Sequence, residues 1–150
     1  MHLDPGPVMD DEYWAAFPEV LSIADLARIT RKTAPTVWRW LGDGKIPAHR
    51  ISNAYVVYRE TFRRKLEHPD EDAGLPDQFL ASYPEEISVP QLAEILGKTT
   101  PTAYRWLAAG SLPGHRYAGS WLIYKHEVVQ PLARTSNQPP IPLLGIYDAE

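Results

Sequence analysis

The chain has 150 residues, no cysteine and a formal net charge of −4. That length holds one ordinary domain or two small ones. Without cysteine there are no disulfides or thiolate metal sites, and no apolar run approaches the ~18 residues that span a membrane. A negative total argues against a polyanionic partner only until the charge is located. Residues 17–66 carry ten Lys/Arg against four Asp/Glu, residues 83–132 carry four of each, and the remainder carries one Arg against eleven acids. The first of these segments is therefore basic. MHLDPGPVMDDE lacks the basic-then-apolar pattern of an export signal, and the expectation is a soluble cytoplasmic, nucleoid-associated protein.

The sequence repeats itself. Asp11–Leu66 aligns with Asp77–Leu132 at a constant offset of 66 with no gap, and 21 of 56 pairs are identical. Two copies of this length are too few and too long for a solenoid, so the period predicts a tandem pair of small domains. A unit of 56 residues lies near the lower limit for a self-supporting core, and packing one copy on the other would relieve that limit. The expected organisation is an arm at 1–10, a first unit at 11–66, an acidic linker at 67–76, a second unit at 77–132 and a Pro-rich tail at 133–150.

Each copy opens with a short amphipathic helix, DEYWAAF in the first, which stops before Pro18 or Pro84. Ser22 with Asp25, and Ser88 with Gln91, predict capping boxes for the next helix. Ile23, Leu26, Ala27 and Ile29 give that helix one apolar face, as do Val89, Leu92, Ala93 and Leu96. After a tight break, Thr33 or Thr99 caps a second helix with Pro35 or Pro101 in its first turn. Gly44 and Gly110 end it. Two short helices about three residues apart make a helix-turn-helix. IPAHRIS-NAYVVY and LPGHRYA-GSWLIY then predict hairpins turning at Ser52-Asn53 and Ala118-Gly119. RETFRRKL and KHEVVQPL close the copies as third helices. The fold class is mainly α with short β-hairpins.

This order of elements, with an Arg-aromatic pair on the second helix and Gly-x-hydrophobic-Pro after it, resembles the excisionase-like branch of the MerR-type winged helix-turn-helix domains. SVPQLAEILGKTTPTAYRWLAAGSLPGHRYAGSWLIYKHEV is the closer copy; the first departs at Thr30-Arg31 and Ser52-Asn53 and carries Asp43 near the helix end. The resemblance implies a second helix in the major groove of duplex DNA and a hairpin wing in the adjacent minor groove.

On the second helix Val37, Trp40 and Leu41 form one side, matched by Ala103, Trp106 and Leu107, and these are expected in the core. Thr36 and Arg39, with Thr102 and Arg105, fall on the opposite side. The candidate DNA contacts are Lys32, Thr33, Thr36, Arg39, His49, Arg50 and Asn53 in the first unit. In the second they are Lys98, Thr99, Thr102, Arg105, His115 and Arg116. Arginine can fork onto guanine or phosphate, lysine suits phosphate as a point charge, and threonine hydroxyls bond either. Each has a structural reading beside the functional one: Thr33 and Thr99 as helix caps, Arg39 and Arg105 as surface charges, His49 and His115 as strand residues bonding backbone. Arg63, Arg64 and Lys65 form a solvated helix face.

No nucleotide-binding glycine loop, cysteine nucleophile or His/acid cluster supports an enzyme, and no residues point to a metal or cofactor. The expected partner is double-stranded DNA, with a recombinase or the transcription machinery acting beside it. LLGIY in the tail would dock on the protein itself or on a neighbour, including another copy. The reading is a transcriptional regulator or an excisionase-like architectural factor. The alternative is a winged-helix protein-interaction module that has lost DNA.

Overall fold

The computed structural model describes residues 10–69 and 74–138. The expectations for the arm at 1–9 and for LLGIY lie outside the described residues. Each repeat builds the same order of elements. The first is α1 (Asp11–Ala15), β1 (Val20–Leu21), α2 (Ile23–Thr30), α3 (Ala34–Asp43), β2 (His49–Ile51), β3 (Ala54–Tyr58) and α4 (Arg59–Glu67). The second is α5 (Asp77–Ala81), β4 (Glu86–Ile87), α6 (Val89–Leu96), α7 (Thr100–Ala109), β5 (His115–Tyr117), β6 (Ser120–Tyr124) and α8 (Lys125–Arg134).

Local chemistry sets the boundaries. Ser22 and Ser88 each accept from the N3 amide, and the Asp25 or Gln91 side chain accepts from the serine's own N–H, so both capping boxes form. Thr99 caps α7 through its side chain, whereas Thr33 makes no such bond to α3. Gly44 and Gly110 terminate α3 and α7 at φ 81°. Each hairpin turns on two left-handed residues, Ser52-Asn53 and Ala118-Gly119.

A two-residue strand ahead of α2 and α6 joins each hairpin, giving sheets ordered β1-β3-β2 and β4-β6-β5, all antiparallel. This third strand lies in PEVL and PEEI and was too short for any periodicity to reveal. Behind each sheet a basic residue ties the short first helix to the third. Arg59 donates to the Phe17 carbonyl at 2.7 Å and to Glu19 at 3.1 Å. Lys125 donates to the Leu80 and Tyr83 carbonyls at 3.0 and 2.8 Å. Arg63 pairs with Asp11 and Glu67, so part of the first unit's positive charge is spent on its own packing.

The two units pack on one another. In β3 alternate residues face opposite ways: Val57 enters the core built by Trp14, Leu26, Val37, Leu41 and Phe62, while Val56 and Tyr58 join the core of the second unit. The strand is apolar on both faces because both are covered. Tyr58 donates its hydroxyl to the Ile95 carbonyl at 2.9 Å, and burial drives its pKa upward. The start of the tail completes the joint. Asn137 donates to the Leu41 and Ile46 carbonyls at 3.0 and 2.8 Å and accepts from the Ala48 amide at 2.9 Å. Gln138 donates to the Gly44 carbonyl at 3.1 Å. These bonds tie the tail to the last turn of α3 and to the loop that follows it, with the Leu41 carbonyl also accepting from the Gly44 amide at 3.3 Å.

Candidate nucleic-acid interface

Each unit presents one face built from its second helix and its wing. In α3 the apolar side holds Val37 and Leu41, both fully buried. Trp40, expected in the core, is half-buried and lies 6.0 Å beneath the Lys32 ammonium. Its counterpart Trp106 is buried. On the outward side Lys32, Thr33 and Arg39 are exposed and Thr36 is partly so. The Thr33 and Thr36 hydroxyls lie 3.3 Å apart, and those of Thr99 and Thr102 2.9 Å apart. Arg50 and Asn53 stand exposed on the wing.

Two pairs of aromatic residues belong to this face and were missed in the sequence. Trp38 is 49% exposed, beside Arg39, with its ring 5.8 Å from that of Tyr55 on β3. The Arg50 guanidinium lies over the same Tyr55 ring at 5.3 Å. The second unit repeats the pattern with Tyr104, 48% exposed, and with Arg116 over Trp121 at 5.5 Å. The signal was available: Trp38 and Tyr104 fall off the Val37-Trp40-Leu41 stripe, where a large aromatic has no core to enter.

The remaining candidates separate. Thr99 and Arg105 are exposed on α7, Thr102 is partly exposed, and Arg116 is exposed on the second wing. His49 is a correction: it is 4% exposed, with Nδ1 2.5 Å from the Leu132 carbonyl, and it serves the joint between units. Burial lowers its pKa, and the bond to Leu132 opposes that shift only in part. Its counterpart His115 is exposed and bonded to Glu127 at 2.8 Å. Lys98 is also drawn into the joint. Its Nζ is 3.4 Å from the Tyr55 carbonyl, and desolvation lowers its pKa. Of the two turn lysines, Lys32 alone stays exposed. Among the described residues no three His, Asp or Glu side chains come together as a metal site, and no helix is long and apolar enough to cross a membrane.

Two exposed helix-and-wing faces, each with an arginine on the helix and an arginine-aromatic stack on the wing, define a helix-turn-helix protein. Residues 20–68 and 86–136 both match the model of a helix-turn-helix domain, together about two thirds of the chain. The chain belongs to this excisionase-like helix-turn-helix family, as two tandem copies. No curated protein and no solved structure gave a significant match. The family carries a DNA-binding helix-turn-helix role.

Proposed function

We infer that the protein reads duplex DNA with both units and acts as a transcriptional regulator or as an excisionase-like architectural factor beside a recombinase. The observation that carries this reading is the paired face: Thr33, Thr36, Trp38 and Arg39 next to Arg50 and Asn53, and Thr99, Thr102, Tyr104 and Arg105 next to Arg116. A short helix inserts its exposed side in the major groove, while a wing arginine grips the minor groove or its phosphates. The exposed aromatic supplies apolar contact to thymine methyls or to the sugar edge.

The units differ in duty. The first has ten Lys/Arg against four acids between residues 17 and 66, and the second is neutral over 83–132. The first unit supplies most of the phosphate attraction, and the second reads shape or adds a weaker contact. The joint sets different surfaces of the two copies against each other, the wing of the first on α6 and α8 of the second. Such a heterologous arrangement has no twofold axis. The target is therefore two like-oriented half-sites or one continuous footprint, not a palindrome.

The experiment replaces Arg39 and Arg50 by Ala together, and separately Arg105 and Arg116, and measures duplex affinity against salt. The first pair is expected to cost more affinity, at least about tenfold, and to flatten the salt slope by about two. Equal losses defeat the division of duty. No binding by the wild-type chain to any duplex at low salt defeats the DNA reading and favours a protein-interaction module, for which the acidic flanks would then be the recognition feature.

A further inference from the structure

Five large apolar side chains are exposed among the described residues: Trp38, Leu66, Tyr104, Tyr117 and Leu122. Trp38 and Tyr104 are counterparts on the recognition helices. The other three are counterparts, at the offset of 66, of residues sealed in the joint between units. Tyr117 is 73% exposed where Ile51 is 3%, and Leu122 is 42% exposed where Val56 is 0%. Leu66 is 42% exposed where Leu132 is 0%. The joint thus uses the wing of the first unit and the helices of the second, and leaves the wing of the second and the helices of the first as its two unused halves.

We propose that a second copy of this chain occupies these halves, its first-unit helices α2 and α4 receiving the second-unit wing β5-β6 of the copy before it, in repetition of the intramolecular joint. A heterologous contact of this kind adds copies head to tail.

The substitutions across the two halves are matched. In the joint Gly97 abuts Val20 so closely that a Cβ on Gly97 would lie 2.4 Å from Val20 Cγ1. The counterpart of Gly97 is Arg31, and the counterpart of Val20 is Glu86, both exposed. A close apolar contact inside the chain becomes an opposite-charge pair between chains. Tyr124 keeps the hydroxyl that Tyr58 gives to Ile95, and Ile29 supplies the corresponding carbonyl. Lys32 keeps the ammonium that Lys98 points at Tyr55, with Trp121 in place of Tyr55. The Asn137 clamp is not reproduced, since its counterpart is Glu71, which has no amide to donate. The contact between copies is therefore weaker than the one within the chain and forms at raised local concentration. The inference rests on the packing of the units and not on the reading of DNA.

Sedimentation velocity of the full chain over rising concentration tests it. The wild-type chain is expected to associate past the dimer. Tyr117→Glu and Leu66→Glu, both at exposed sites, each leave a monomer, weakening association at least about tenfold. An equimolar mixture of these two variants restores a dimer and stops there, because each supplies the half that the other lacks. Arg31→Glu weakens association, and adding Glu86→Arg in the same chain recovers it. A wild-type chain that stays monomeric, as it would if its own tail covers Tyr117, overturns the proposal. So does a mixture that fails to dimerise, or an L66E chain that still dimerises through a twofold wing contact.

Discussion

Single residues in this chain take their role from which unit they occupy. His49 and His115 share a sequence context, HR after a proline and a small residue. One is sealed against Leu132 and the other is exposed on a wing. Because burial holds His49 below the ordinary histidine value of 6.5, the folded chain keeps it neutral where the unfolded chain protonates it. The unfolded state then binds more protons, so this residue's contribution is complete above pH 6.5 and is lost as pH falls below it. His126 acts in the opposite sense. Its hydrogen bond to Glu85 raises its pKa, so its contribution is complete below 6.5 and fades as pH rises through the folded value. The difference in unfolding midpoint between the wild-type chain and His49→Gln isolates the first effect. It is expected to shrink between pH 7 and pH 5, the range in which histidine ordinarily changes charge. An unchanged difference, or an NMR titration of His49 at or above 6.5, contradicts the assignment.

The elements were largely legible in the residues that start and stop them. Ser22-Asp25, Ser88-Gln91, Gly44 and Gly110 each do the job their chemistry predicts. The strands β1 and β4 were not legible, because two residues carry no period and their partners lie in the hairpin more than thirty residues further along the chain. Nor was the different service of the two helix breaks. Arg31 and Gly97 both take left-handed backbone, at φ 60° and 68°, yet only Gly97 is pressed against the other unit. Gly110 gives the control, with φ 81° and nothing within 4 Å of an added Cβ. Gly110→Ala is expected to cost about 1 kcal/mol of backbone strain alone. Gly97→Ala is expected to cost clearly more, since Val20 must also move. Equal costs by urea denaturation would mean that the contact between units carries no close packing.

At the scale of the molecule, the repeat was legible as two units but their joint was not. AYVVY and SWLIY read alike as strands, and nothing local says that Val56 is covered by a neighbour while Leu122 is exposed. The candidate site was legible where helix phase decides, at Thr36, Arg39, Thr102 and Arg105. It failed where the joint decides, at His49 and Lys98. Trp38 and Tyr104 were passed over although their phase had already excluded them from the core. Bonds from Asn137 and Gln138 to the end of α3 couple the units further. On the proposed reading, two heads held by such a joint would search DNA as one body, and the second would gain from the binding of the first. Selection of bound duplexes from a random pool at low salt, with the full chain, tests this most directly. Enrichment of two half-sites in the same orientation or of one continuous, non-palindromic footprint, lost when Arg39 and Arg50 are replaced by Ala, is the expected result. Retention of no duplex, or enrichment of an inverted repeat, would contradict it.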